Sequence, residues 1–344
     1  MQINAEFEEL IGIKKKMKTS NFLNTIFGLI LFCSSPYISA DNKANSNEKF
    51  DYSTVSVAEE TGTKFEKITD DGDYVYANDS WLNPLIAISP DGSKLAFIND
   101  KNKSQNIMVK NALQGGVSIQ RTYRVNVKDV SWSPDGKTLC FTEYRNKHYG
   151  LYMTNASQGS VVRQISNGID NDYGGVFTND CKQLFFHRGE SNGSYSLWSY
   201  DFNTNLFSNY TSGVTACLSE KEPNIIYCTR FNSEGNGEVW RLNIETGVEE
   251  TILAVPGKNF ITPRLSPDGN WILLTGNSIS EKENLKNKDI FVVRTDGTQL
   301  TQLTFHPAND FSAVWGADGM SIYFLSQRGS SARIYNVWKM SFYL

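Results

Sequence analysis

The sequence predicts an all-β fold, a six-bladed β-propeller whose four-stranded antiparallel blades are closed into a ring by N- and C-terminal strands. Three observations support this prediction. One motif recurs from about residue 81 onward, its copies lie roughly 45 residues apart, and no segment shows a capped, amphipathic helical pattern. Repeats of this length built from short strands are typical of propeller blades.

The clearest copy of the motif is "VSWSPDGKTLCFTEY" at 130–144. The other copies lie at 86–100, 174–188, 216–230, 263–277 and 313–327. Aspartates at the matching register follow one another at intervals of 44, 45, 88 and 50 residues: Asp91, Asp135, Asp180, Asp268 and Asp318. The double interval contains the degenerate copy around Glu222, so the chain carries six units.

Each unit predicts four strands. An alternating apolar run forms the first strand, and Ser-Pro-Asp-Gly then turns the chain, because Pro presets φ near −65° and Gly supplies a positive φ. We interpret the aspartates as turn residues and not as ligands. An apolar second strand such as 139–142 follows, then a third strand, a turn such as Asp296-Gly297 and a short outer strand.

The last unit offers only three strands before Leu344. Residues 50–69 have the composition of the missing outer strand, so we expect them to complete the last blade from the other end of the chain. A ring closed in this way leaves no blade edge open. Seven blades are the alternative, if residues 50–76 hold more than the closing strand.

Residues 1–40 predict a Sec-type signal segment. Basic residues surround Met17, the predicted start, and an apolar run at 22–32 is short for a bilayer span and precedes a cleavage signal at Ala40. An uncleaved membrane anchor is the alternative. Residues 41–49 predict a flexible linker. The expected location is periplasmic or secreted.

Charge and cysteine usage exclude several classes of protein. A net charge of −4 does not indicate the basic surface that binds nucleic acid. The cysteines after the signal segment form no C-x-x-C pair, so the sequence predicts no zinc site and no cofactor. Cys217 and Cys228 flank one predicted hairpin, and a disulfide between them is the alternative to two buried free thiols.

The stretch "FHRGESNG" at 186–193 matches the G-x-S-x-G pattern of a hydrolase nucleophile elbow at Ser191. Such an elbow needs a helix after the serine. Here a predicted strand follows, and His306 is the only histidine downstream. We therefore interpret Ser191 as part of a hairpin loop. His148, His187 and His306 fall in different blades and predict no metal site.

Eight charged residues form the candidate ligand-binding site. The aspartates precede inner strands and the arginines end or follow second strands, so we expect all of them at the channel mouth where the inner strands begin. They are Asp79, Asp129, Asp172, Asp310, Arg145, Arg188, Arg230 and Arg328. Such an exposed rim could bind a peptide, a carboxylate or an ion. A solvated rim of mutually paired charges is the alternative.

The S-P-D-G units, and above all "LTFHPANDFSAVWGADGMSIYFLSQRGSSARIY" at 303–335, resemble the repeats of TolB-like (PD40, WD40-like) propellers. They are similar also to the propellers of tricorn-type and prolyl-oligopeptidase-type proteases. The resemblance covers roughly 50–344 and is specific for fold, not function. TolB proteins carry an α/β domain before the propeller and the proteases carry a catalytic domain, and neither is recognised in this sequence.

The first functional hypothesis is an exported, non-enzymatic propeller that binds an envelope protein or peptide partner through its channel-mouth face. The alternatives are a propeller enzyme, either a lyase or a glycan-active protein, and a gating propeller that serves a separate protease. We expect no nucleic-acid partner, and membrane contact only through the signal segment if it is retained.

Overall fold

A computed structural model describes residues 64–77, 82–123, 126–157, 162–166, 169–279, 286–330 and 334–343. The predicted signal segment at 1–40, the predicted linker at 41–49 and Asp79 lie outside the described residues. Within the part of the chain that is described, no helix is long and apolar enough to cross a membrane. The described helical turns are two 3-10 turns, at Asp71–Asp73 and Lys101–Lys103.

The described strands form six four-stranded antiparallel sheets, so the predicted six-bladed propeller is confirmed. Strand β1 (Phe65–Lys67) belongs to blade 6. Blade 1 comprises β2 (Ile86–Ile88), β3 (Lys94–Asn99), β4 (Asn106–Asn111) and β5 (Ile119–Gln120). Blade 2 comprises β6 (Ser131–Trp132), β7 (Thr138–Arg145), β8 (His148–Asn155) and β9 (Val162–Gln164). Blade 3 comprises β10 (Asn171–Phe177), β11 (Gln183–Gly189), β12 (Tyr195–Asp201) and β13 (Phe207–Ser212).

Blade 4 comprises β14 (Val214–Leu218), β15 (Ile225–Phe231), β16 (Gly237–Asn243) and β17 (Glu249–Leu253). Blade 5 comprises β18 (Phe260–Leu265), β19 (Trp271–Ile279), β20 (Lys286–Arg294) and β21 (Thr301–Gln302). Blade 6 comprises β22 (Asp310–Trp315), β23 (Ser321–Ser326), β24 (Asn336–Ser341) and β1. The inner strands contact one another in succession, and β2 contacts β22, so the ring is closed around a central channel.

In five of the six blades the turn after the inner strand is held by the recurring aspartate, and in blade 4 the Ser219 hydroxyl accepts the Glu222 backbone amide at 3.0 Å instead. In blade 1 the Ser89 hydroxyl donates to the Asp91 carboxylate at 2.6 Å, and the Ser93 backbone amide donates to the same oxygen at 3.0 Å. Hydrogen bonds from Ser89 and Ser93 lower the pKa of Asp91 to about 2. Equivalent bonds reach Asp135, Asp180 and Asp268. Their predicted role as turn residues is confirmed.

The closing strand pairs with the last strand of the chain, as predicted. In β1, Phe65 pairs with Met340 and Lys67 with Trp338. The segment after β1 then reaches blade 1, where Asp73 makes a 3.1 Å ion pair with the buried amine of Lys110. One short segment therefore binds the last blade and is anchored to the first, which removes the edge that an open array would expose.

Cys217 and Cys228 are free thiols in separate parts of the core. In the pairing of β14 with β15, Cys217 lies opposite Tyr227, so the next residue, Cys228, points to the other face of the sheet. The predicted buried free thiols are confirmed, and the alternative disulfide is wrong.

Two buried histidines predict a loss of stability in mild acid. Burial lowers the pKa of both His187 and His306 to about 3, and a nearby arginine acts in the same direction on each ring. Below pH 6.5 both histidines become protonated in the unfolded chain, whereas His187 and His306 stay neutral in the folded chain. The free energy of unfolding should therefore fall as the pH drops towards 3, by about 1.4 kcal/mol per pH unit for each histidine. Urea unfolding at pH 7.5, 6.0 and 5.0 measures this, and equal stability at all three would contradict it.

Candidate functional site

Two of the predicted aspartate–arginine combinations are ion pairs inside single blades. The Arg188 guanidinium donates to both carboxylate oxygens of Asp172, at 2.6 and 3.0 Å, and reaches Asp170 at 3.1 Å. In blade 6, Arg328 donates to Asp310, and both side chains are 0% exposed. These pairs join the start of an inner strand to the end of the second strand, which is the juxtaposition that the repeat predicts.

The other predicted residues have different partners. Arg145 is about half exposed and pairs with Glu143, while Arg230 forms a bidentate pair with Glu249. Asp129 is buried and accepts backbone amides from two strands, at 2.8 and 3.1 Å. Each of these three side chains therefore bonds to a partner within the fold.

The sequence predicts Arg188 and Arg328 as exposed rim residues, but both are buried in the structure. The Arg188 guanidinium lies 4.4 Å from the ring centre of Trp198, and that of Arg328 lies 4.4 Å from the ring centre of Phe65. Aromatic side chains from other strands thus cover both cations, as stacked arginines allow. Arg328 has no exposed surface that a ligand could touch.

Ser191 lies in an exposed loop between β11 and β12. The Gly193 amide donates to the Glu190 carbonyl at 3.0 Å, and the Glu190 amide donates to the Ser194 carbonyl at 2.8 Å, so the five residues form a hairpin turn. A strand follows the serine. The interpretation of Ser191 as a loop residue is confirmed.

The central channel holds a cavity of about 570 Å³ that all six inner strands line. Equivalent residues of these strands lie at three levels. At the closed end, all are buried: Leu85, Asp129, Gly174, Thr215, Thr262 and Ser312. At the middle level, all but Cys217 are partly exposed: Ala87, Ser131, Val176, Cys217, Arg264 and Val314. At the mouth, all are exposed or partly exposed: Pro90, Pro134, Asn179, Glu220, Pro267 and Ala317.

Asn83 fills the closed end, where the inner strands begin. Its side chain is buried, and its amide donates to Asp129 at 3.4 Å. With Thr262 and Ser312 it lines a residual void of only 10 Å³. Gly174 has a φ of +65°, and a Cβ there would lie 2.3 Å from the Asn83 amide oxygen, so only glycine fits. The cavity therefore opens at the face that carries the Ser-Pro-Asp-Gly turns, opposite to the face that the sequence indicates.

Two tryptophans form part of the channel wall. The Trp132 indole donates to the Ala87 carbonyl at 3.2 Å, and the Trp315 indole donates to the Arg264 carbonyl at 2.9 Å. Each bond joins one inner strand to its neighbour, and each satisfies the indole N–H, which usually has a partner when buried. The two hydrogen bonds thus fix the positions of the indole rings, which add apolar surface to the wall around the middle level.

Arg264 is the only lysine or arginine among the described residues that line the cavity. Its Nη1 donates to the Pro263 carbonyl at 2.7 Å, and it makes no ion pair with a described residue. Burial, and to a smaller extent the charge of Arg264, lower the pKa of His187. Burial lowers the pKa of Arg264 itself, while the nearby Cys217 and Asp129 act in the opposite direction on that pKa. An arginine stays protonated at neutral pH.

Arg264 is absent from the candidate site that the sequence predicts. A signal for it exists in the repeat, because the residue two places before the turn serine is small, apolar or a cysteine in the other five units. An arginine at this position in "PRLSPDG" departs from the pattern. Among the described residues, no group of three His, Cys, Asp or Glu side chains lies close enough to hold a metal ion.

Comparison with known proteins supports the fold. Residues 203–341 match the family model described as PD40, TolB beta propeller domain. The chain is 33% identical over 70 residues to dipeptidyl-peptidase 5 of Porphyromonas gingivalis, which is 20% of this chain and 10% of that protein. It spans about half of TolB from Acinetobacter baumannii, with 23% identity, a TM-score of 0.52 and coverage of 63% of this chain and 53% of that one.

Other similar structures combine low identity with high coverage. A putative TolB from Agrobacterium tumefaciens is 14% identical, with a TM-score of 0.57 and coverage of 83% of this chain and 92% of that chain. An oligogalacturonate lyase from Vibrio parahaemolyticus is 12% identical, with a TM-score of 0.57 and coverage of 86% and 96%. Identities this low show the shared fold alone. The predicted resemblance is thereby confirmed: the chain has a TolB-like β-propeller fold, and its residues 203–341 match the TolB propeller family.

Proposed function

We propose that the chain is an exported, non-enzymatic propeller that binds an acidic segment of a protein or peptide partner in its central channel. The observation that carries this proposal is Arg264, the only lysine or arginine of the described cavity lining, which makes no ion pair with a described residue. Removing a charge from bulk water is costly unless an opposite charge meets it. A carboxylate matches the planar guanidinium through two parallel hydrogen bonds.

The other polar groups of the cavity support binding and not catalysis. Asp129 is already bonded to two backbone amides and to Asn83. The Cys217 sulfur accepts the Leu265 amide at 3.1 Å, and burial raises the pKa of the thiol, which disfavours the nucleophilic thiolate. The described cavity lining therefore offers no nucleophile paired with a base, as covalent catalysis requires. The exported location rests on the predicted signal segment at 1–40.

If the chain were a lyase, its ligand would be a sugar and not a peptide, but the ligand would carry the same negative charge. A sugar acid would also bring a carboxylate to Arg264, and the similar fold of an oligogalacturonate lyase motivates the comparison. Cleavage would additionally need a base beside the bound sugar. In the described lining the candidates are Asp129, which is already bonded to two backbone amides, and Glu220, which lies at the mouth and not beside Arg264. We therefore favour the binding propeller.

Replacement of Arg264 by Met should weaken the binding of an acidic octapeptide of glutamate and alanine by about 10- to 100-fold, since hydrogen bonds to charged groups contribute about 1.5–3 kcal/mol. Calorimetric titration of wild type and variant measures this loss. Arg145→Met, which removes a cation outside the channel, and Ser191→Ala are matched controls and should bind as wild type does. Equal affinity of wild type and Arg264→Met for the peptide would overturn the proposal.

A further inference from the structure

We infer that the channel receives the free C-terminus of its partner, end-on, with the terminal carboxylate on Arg264. This inference rests on the proposed function and specifies its ligand. The observations that carry it are the filled inner end of the cavity, the position of Arg264 at the middle level and the apolar residues of the described lining between Arg264 and the mouth.

The filled inner end of the cavity decides how a polypeptide can enter. Asn83 and the buried residues beside it fill the closed end, so a chain cannot thread through the ring. An internal acidic residue could reach Arg264 only if the chain turned inside the cavity and left through the same mouth. Two backbone segments would then have to fit among the same walls, and both would lose hydration of their N–H and C=O groups. A chain end brings in only one segment.

The charge of Arg264 decides which chain end binds at the middle level. An N-terminal ammonium group would bring a second cation beside Arg264, whereas a C-terminal carboxylate can form two hydrogen bonds with its guanidinium. Like charges at close range destabilise one another, and the effect grows where water is excluded. The carboxylates of the described lining lie at other levels: Asp129 at the closed end, where it accepts two backbone amides and Asn83, and Glu220 at the mouth. Arg264 therefore selects the carboxylate end of a chain that reaches the middle level.

The depth of the channel sets the length of the recognised segment. Along blade 5, Arg264 at the middle level and Pro267 at the mouth are three residues apart, which corresponds to about 10 Å at the rise of a strand. An extended peptide covers that distance with about three residues. Trp132, Trp315 and Val176 line the intervening space, so apolar side chains fit the last positions of the ligand.

Three N-acetylated tripeptides test the inference. The first has three apolar residues and a free C-terminus, the second is its C-terminal amide, and the third is an amide with aspartate in the middle. Calorimetric titration should show binding of the free acid, with each amide weaker by about 10-fold or more. Quenching of the channel tryptophans gives a second measure of the same affinities.

Two variants separate this inference from the proposed function. In Arg264→Met the free acid and its amide should bind equally weakly, whereas Arg264→Lys keeps the charge and should keep a preference for the acid. Equal binding of the apolar acid and its amide to the wild type would overturn the inference, as would tighter binding of the internal aspartate. If the acidic octapeptide still binds through Arg264 in that case, the proposed function stands; if no carboxylate peptide binds, both fail.

Discussion

Replacing Arg328 by Met is expected to lower the free energy of unfolding by about 3–5 kcal/mol, the usual cost of removing one partner from a buried ion pair. Arg328 and Asp310 are both 0% exposed. The variant would leave the carboxylate of Asp310 facing an apolar side chain, without water to solvate it. The change also removes the guanidinium that lies over Phe65 of the closing strand, so blade 6 and its closure should weaken together.

Chemical denaturation of wild type and variant measures the difference. Arg145→Met is the matched control, because that ion pair is about half exposed and should contribute no more than about 1 kcal/mol. Adding Asp310→Asn to Arg328→Met should recover part of the lost stability, since the buried negative charge is then gone. An Arg328→Met protein as stable as the Arg145→Met control would show that the pair contributes nothing.

Removal of the closing strand is expected to destabilise the whole ring. A chain that starts at Asp70 lacks β1 and also lacks Ile68, which is 2% exposed and belongs to the core. Burying one such aliphatic side chain contributes about 1.5–3 kcal/mol, and the partly buried ring of Phe65 adds to it. The loss should therefore reach at least about 3 kcal/mol, and the freed edge of β24 should pair with other copies.

The matched control starts at Lys64 and keeps β1 complete. Thermal melting and light scattering compare the two chains at equal concentration. The chain that starts at Asp70 should melt earlier and scatter more light, while the control should melt as the full chain does. Equal melting of both shortened chains would mean that ring closure does not depend on β1.

The fold could be predicted from the sequence alone, because the strands and turns of each blade are specified by residues that lie close together in the chain. Ser89 and Asp91 lie two residues apart and define one turn by their own hydrogen bonds. The same pair recurs in blades 2 and 5, and a threonine and an aspartate form it in blade 3. Period-2 strands on either side of such a turn can form only an antiparallel hairpin. Closure was also predictable, because the last unit offers only three strands and residues 50–69 have the composition of an outer strand, of which Phe65–Lys67 form β1.

The candidate site depended on contacts that the sequence does not show. A charge at the end of a strand suggests an exposed rim, but the cover over Arg328 comes from Phe65, which lies more than 260 residues earlier in the chain. The burial of Arg188 depends in the same way on Trp198 of the next strand. Whether a charged side chain is exposed is decided by its neighbours in space, which only the folded blade brings together.

The importance of Arg264 is likewise a property of the assembled ring. An arginine at this position departs from the repeat, but the alternation of its strand does not say which residues face the channel. The side chain faces the cavity because six inner strands converge, and one end of that cavity is closed because Asn83 of the first blade packs against Gly174 of the third. Local sequence therefore determined the blades and their turns, while the open face of the channel and the place of Arg264 in it were decided by packing between blades, since these depend on residues far apart in the chain.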